Sequence, residues 1–294
     1  MKRLTGWLLA SSVLLGGVGT VAAQEKSAGA MTPPKVLVIF REFVKPGKSG
    51  MTHEKTESAF VQAFRNAKWP THYLAADSLS GKSRSLFLTG YDSFEAWEKD
   101  NLATQKNAKL AAELDHAGLV DGELLSETDA GEFVYSEEYS LRASSVHIAH
   151  MRYFEISVFH VRPGHHKDWD ELVKLVTAAY EKIPDVHWAT YHAAYGSAGG
   201  TYVVFTPMKS AAEIDRGFAQ GKQFMANMGE EGMKKLRELE AATIESSQSN
   251  LFQFNPRMSY VSDEWVKADP DFWKPKPAKA PAAAPKKSEK PAGH

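Results

Sequence analysis

The chain has 294 residues, no cysteine, 35 basic and 36 acidic side chains, and a formal net charge of −1. The absence of cysteine excludes disulfides, thiolate metal centres and cysteine nucleophiles. The near-neutral total hides a split: residues 24–273 hold 27 basic and 35 acidic side chains, whereas 274–294 hold six lysines and one glutamate. An acidic body argues against nucleic acid as a partner, because phosphate neutralisation needs a basic face.

Residues 1–23 read as a secretory signal. Lys2 and Arg3 supply the positive start, 7–21 is apolar, and Val21-Ala22-Ala23 offers small residues at a cleavage point before Gln24. The apolar run is interrupted by glycines and short for a bilayer span of about 20 residues. No later stretch is apolar enough to cross a membrane. Export of a cysteine-free chain points to a bacterial periplasm or exterior, and 24–35 is a linker.

The body repeats itself. In 36–142, a β-rich run 36–44 stops at Lys45-Pro46-Gly47, and Phe60, Ala63, Phe64 and Ala67 mark a helix closed by Trp69-Pro70. Strands over 71–79 and 86–89 turn at Gly81, Ser93 opens a second helical region, and 133–136 is a closing strand. In 146–260 the order recurs. A strand over 153–161 stops at Arg162-Pro163-Gly164, and Trp169, Leu172, Val173, Val176, Ala179, Tyr180 and Ile183 form one apolar helical face that ends at Pro184. Burying that stripe contributes on the order of 10 kcal/mol as an upper bound. Strands over 186–195 and 201–206 follow, then a helical region opened by Ser210 that Gly217, Gly221, Gly229 and Gly232 break into pieces. Its last piece is 233–244, and a strand over 251–255 completes the copy. The two Pro-Gly pairs lie 117 residues apart and the closing aromatic pairs Phe133/Tyr135 and Phe252/Phe254 lie 119 apart. Such constant spacing is the mark of a duplicated module. The remaining 274–294, rich in Pro, Ala and Lys, cannot build a core and is predicted to be disordered.

Each copy is strand, helix, strand, strand, helix, strand: the α+β, ferredoxin-like βαββαβ unit. Two such units in one chain resemble the dimeric α+β-barrel superfamily in fused form, which includes the antibiotic-biosynthesis-monooxygenase-like, NIPSNAP-like and EthD-like families. The resemblance covers about 36–260 and rests on element order and repeat spacing. It implies that the two sheets join into one eight-stranded barrel with helices outside, roomy enough for packed side chains or one small ligand.

Alternation along 153–161 gives one apolar row, Phe154, Ile156 and Val158, expected to meet the helices. The other row, Tyr153, Glu155, Ser157 and Phe159, is then expected to face the lumen. A lumen carboxylate would have a raised pKa and act as acid or base, so Glu155 and His160 are the candidate catalytic pair. The bland alternative, a paired or wetted Glu155, carries more weight. Ser157, Phe159, His187, Tyr191 and His192 are candidate ligand contacts. No Glu-x-x-His or His-Glu-x-x-His spacing supports a metal site, and no cofactor is identified. Gly47-Lys48-Ser49 and Gly81-Lys82-Ser83 lack the leading glycine of a phosphate loop. Three readings stand. The first is an exported protein binding a small apolar or aromatic molecule in the lumen. The second is a cofactor-independent monooxygenase or isomerase. The third is a haem-binding barrel, as the resemblance allows, or an envelope-associated structural protein whose basic tail contacts an anionic surface.

Overall fold

A computed structural model describes residues 32–274, so the predicted signal peptide, most of the linker and the tail after Lys274 lie outside the described residues. The first copy folds as β1 (Val36–Val44), α1 (Met51–Ala67), β2 (Tyr73–Ser78), β3 (Arg84–Tyr91), α2 (Phe94–Lys106), α3 (Ala108–Gly122) and β4 (Leu125–Leu141). Two short 3-10 turns, Ala143–Ser145 and Ile148–His150, lead to the second copy. That copy is β5 (Tyr153–Val161), α4 (His166–Tyr180), β6 (Trp188–Tyr195), β7 (Thr201–Met208), α5 (Ala212–Thr243) and β8 (Ile244–Phe254). Two further helices, α6 (Asp263–Ala268) and α7 (Pro270–Trp273), end the described chain.

Local chemistry places the breaks. Gly47 and Gly164 both have positive φ in the turns after β1 and β5, where a side chain would be strained. Ser93 accepts a hydrogen bond from the Ala96 amide to cap α2, and Asn107 accepts one from Leu110 to cap α3. The glycine-rich second helical region, α5, is two helical stretches joined across a kink at Gly229, whose φ of 65° and ψ of −179° are not helical, so it is broken at one of the four glycines. The other three glycines, all with negative φ, are accommodated within its turns.

All eight strands form one closed antiparallel barrel in the order β1-β3-β2-β8-β5-β7-β6-β4. Within each copy the order is fourth, first, third, second. The seams are β2–β8, with Ala76 opposite Phe254, and β4–β6, with Tyr135 opposite Tyr191. Closure within a single chain leaves no exposed sheet edge. The fold class is therefore the one that the sequence predicts. β4 and β8 begin well before the expected closing strands, because 125–130 and 245–249 pair along β1 and β5 while exposing mostly polar side chains. Their pairing buries little apolar surface, so no hydrophobic alternation announces it.

The barrel interior is a packed core. Leu37, Leu74, Leu86, Phe133, Phe154, Ile156, Tyr191, Val203, Phe205, Phe252 and Phe254 belong to one buried cluster fed by every strand. This reverses the expected faces of β5. Phe154 and Ile156 point inward, so Tyr153, Glu155, Ser157 and Phe159 lie on the outer face, where α4 and α5 pack. Alternation separates the two rows, but the rule for choosing between them differs here: a lumen filled with side chains takes the more apolar row.

The segment after β8 closes one end. Tyr260 pairs with Tyr73, and Trp273, 2% exposed, joins the interior cluster and donates its indole N–H to the Ala149 carbonyl at 2.8 Å. Arg152 forms an ion pair with Asp269 and lies 3.9 Å from the centroid of Phe272. The Arg152 guanidinium holds the Asp269 carboxyl below the usual carboxylate range, against the opposing effect of burial. Among the described residues no helix is long and apolar enough to cross a membrane.

Candidate functional site

Three places on this frame carry chemistry. The first is a cavity of about 690 Å³ at the end of the barrel where β1 begins. Its floor is the inner row, Leu37, Leu74, Leu88, Phe154, Tyr191 and Phe205. Its rim is Pro34, His72, Trp188, Ser262 and Trp265, contributed by the chain entering β1, the chain entering β2, the start of β6 and the start of α6. The wall is mostly apolar, with a few polar groups at the rim, which is the usual composition of a small-molecule pocket. His72 stacks on Tyr260 with ring centroids 4.8 Å apart, and burial lowers its pKa despite a hydrogen bond to the Pro70 backbone and the nearby Asp263 charge. Burial also raises the Tyr191 pKa, so its hydroxyl stays neutral.

The second is a cavity of about 600 Å³ between the second sheet and helices α4 and α5. Trp169, Tyr180, Phe224 and Leu236 dominate it, with Glu155, His187 and Arg216 among its polar members. Tyr180 stacks on Phe224 at 4.5 Å. Burial raises the Tyr180 pKa, and the neighbouring Glu155 charge adds to the effect.

The third is a cluster of four ionisable side chains between the first sheet and its helices. Glu42 comes from the outer row of β1, His53 and Glu57 from one face of α1, and Asp121 from the end of α3. All four are buried, and their candidate donor atoms lie within 4.8 Å of one another. His53 Nε2 donates to Glu42 Oε2 at 2.9 Å and lies 3.6 Å from Asp121 Oδ1. On its other side Nδ1 lies 3.4 Å from Ser85 Oγ, which donates to Asp77. Thr56 Oγ1 donates to Asp121 Oδ1. Burial alone would depress the His53 pKa, but Asp121 and Glu42 outweigh it and push it to about 10. Burial, reinforced by the Glu42 and Asp121 charges, pushes Glu57 up to about 9. Burial raises Glu42 as well, with the His53 hydrogen bond opposing.

The residues nominated from sequence do not converge. Only Tyr191 lines the barrel-mouth cavity; Glu155, Phe159 and His187 line the second one. Glu155 is exposed on the outer face of β5, whereas His160 continues the inner row of Phe154 and Ile156 and contacts Thr201 Oγ1 at 3.0 Å. The two therefore stand on opposite faces and do not form one acid–base pair. Ser157 contacts Ser249 at 2.6 Å, His192 contacts Ser136 at 3.0 Å, and His187 Nε2 lies 2.9 Å from the Pro207 carbonyl. The four-residue cluster was absent from the sequence reading. Its signal was present: His53 and Glu57 are one helical turn apart on the face that must meet the sheet, and Glu42 shares the outer row of β1 with Val36 and Val44.

No family model matches the chain, and no curated protein matches it in sequence. Solved structures resemble it in fold at low identity. An anthrone oxidase-like protein is 16% identical with a TM-score of 0.49, over 75% of this chain and 92% of its own. A mutant chlorite dismutase from Candidatus Nitrospira defluvii is 11% identical with a TM-score of 0.45, over 81% of this chain and 97% of its own. The likeness concerns the fold alone.

Proposed function

We propose that this chain is an exported binding protein that holds a small apolar or aromatic molecule at the mouth of its barrel. The observation that carries this reading is the cavity of about 690 Å³, floored by Phe154, Tyr191 and Phe205 and rimmed by Trp188, Trp265 and His72. Its size is within the range of about 300–1,000 Å³ that small ligands occupy. The deeper lumen is filled by Phe133, Phe252 and Phe254, so the bound molecule sits at the end of the barrel and not along its axis. Flat ligands suit the aromatic walls, and the His72 ring and the Ser262 hydroxyl offer polar contacts for a single polar substituent. Export is supported by the Lys2-Arg3 start, the apolar run and the small residues before Gln24. The basic tail from Lys274 onward supports contact with an anionic envelope surface.

1-Naphthol is a suitable probe, because binding would quench the fluorescence of Trp188 and Trp265. Saturable quenching by the natural chain is expected, and Ala189→Phe, which fills the cavity beside Tyr191, should abolish it without lowering the melting temperature. Equal quenching in both proteins would refute the site. Mass analysis of chain recovered after expression in a bacterium tests export, with a mature start at Gln24 expected. Tail deletion from 275 should release the protein from envelope fractions.

A further inference from the structure

The four-residue cluster combines one imidazole and three carboxylates at relative exposures of 5% or less for Glu42, His53, Glu57 and Asp121. A further acid, Asp77, acts on Glu42 and accepts a hydrogen bond from Ser85 beside the cluster. Among the described residues no lysine or arginine forms an ion pair with any of the four. Three carboxylates buried beside a single imidazole are costly to hold ionised together unless another cation is present. Moreover, Glu57 Oε1 and Asp121 Oδ2 are buried without a hydrogen-bond partner, and both belong to side chains turned into the cluster. Buried acceptors left unmatched cost about 1–3 kcal/mol each, so a structure that retains two of them side by side calls for an electropositive partner.

We propose that Glu42, His53, Glu57 and Asp121 bind one divalent transition-metal ion between the sheet and the helices of the first copy. The donor atoms already span no more than 4.8 Å. Two donors on one ion at about 2.1 Å lie at most about 4.2 Å apart, so the site must close by at least about half an ångström on binding. The outer contacts suit the role. His53 Nδ1–H points at Ser85 Oγ, whose hydroxyl in turn donates to Asp77, and Thr56 donates to Asp121. Such partners fix the ring of a metal-bound histidine and leave the Nε2 lone pair for the ion once its proton is displaced. Mixed nitrogen and oxygen ligation selects Mn(II), Fe(II) or Zn(II). Calcium needs six to eight oxygens and magnesium keeps several waters, which four donors in so enclosed a site do not provide. The ion would join β1, α1 and α3 at the point where Glu42, His53, Glu57 and Asp121 meet.

The test uses the full chain. Elemental analysis of freshly purified protein, followed by chelation and titration with MnCl2 or ZnCl2, should give about one ion per chain and a rise in melting temperature. Loss of the free Mn(II) electron paramagnetic resonance signal reports binding directly. Glu57→Gln and Asp121→Asn should weaken Mn(II) binding at least tenfold, while His165→Ala, which removes a half-buried histidine paired with Asp168 in the second copy, should leave it unchanged. No bound metal, with no thermal shift and no change in the Mn(II) signal for the natural chain, overturns the proposal even if the variants fail to fold. Wild-type affinity in both ligand variants also overturns it.

Discussion

The same layer of the two copies is built from opposite chemistries. Between the second sheet and its helices, Phe159, Trp169, Val173 and Tyr202 make an aromatic and apolar contact, with Trp169 stacked on Tyr202 at 4.6 Å and tilted against Phe159 at 5.6 Å. At the matching positions of the first copy stand Glu42, His53, Glu57 and Ser85. The strand pairs prove the match: Glu42 faces Ser85 across β1–β3, as Phe159 faces Tyr202 across β5–β7. One backbone thus tolerates either a desolvated ring cluster or a set of buried ionisable groups. Packing alone can hold these helices on the sheet, as α4 demonstrates, so the polar version in the first copy is not required by the fold.

The comparison can be broken outright if the copies prove independent. Because both share one barrel interior, the chain should unfold in a single thermal transition by calorimetry, with matching van't Hoff and calorimetric enthalpies. Two transitions would dissolve the comparison into two separate domains. Next in size are the paired helix positions. Trp169→Ala should cost about 3–5 kcal/mol in urea denaturation through the cavity it leaves, and Trp169→Leu should recover a good part of that loss. His53→Leu in chelator-treated protein should also cost about 3–5 kcal/mol, because it strips the counter-charge from Glu42 and Asp121. Near-neutral His53→Leu would mean that the first copy tolerates apolar packing as readily as the second. A smaller effect of opposite sign is expected for Glu57→Leu in metal-free protein. Removing an unpartnered buried carboxyl should stabilise it by about 1–3 kcal/mol, read from the denaturation midpoint.

The smallest effect concerns His72, which stands just ahead of β2. His72 is half-buried and stacks on Tyr260, with the Pro70 backbone and Asp263 as the groups that favour its charged form. Its folded pKa is below the unfolded value of about 6.5. Its contribution to stability is therefore full above that value and is lost as pH falls through the folded pKa. The natural chain should lose more stability than His72→Gln between pH 8 and pH 5 in urea titrations. Parallel curves would show that His72 titrates as freely in the folded as in the unfolded state.

Much of the architecture was legible because it depends on periodicity. The runs that became β1 and β5 and the stripe on α4 have strong alternation or three-four spacing, and the Pro-Gly pairs mark equivalent turns. What escaped notice depends on partners distant in sequence. The first halves of β4 and β8 are polar on both faces and are strands only because β1 and β5 supply their hydrogen bonds. Helices α6 and α7 are too short for a period to register. Alternation does not reveal whether a lumen holds a ligand or side chains, so it cannot choose the face of Glu155. The burial of His53 and Glu57 is hidden for a similar reason. Charged residues on a helix are read as solvated, and only the placement of Glu42 and Asp121 against them reveals that water is shut out.

The seam between β2 and β8 has a consequence for the order of events in folding. It is the shortest pairing in the barrel, three residue pairs beginning at Ala76 and Phe254. Beside it Asn255 donates to Asp77, 178 positions away, at 2.8 Å. β2 must therefore wait for β8, the last of the eight strands, before the ring can shut. Contacts of such long sequence separation are slow to form, since chain entropy is surrendered before the contact returns anything. Until β8 arrives, the edge of β2 and the aromatic inner rows remain open to water and to other chains. An emerging chain thus stays adhesive for nearly its whole synthesis and becomes inert only at the end.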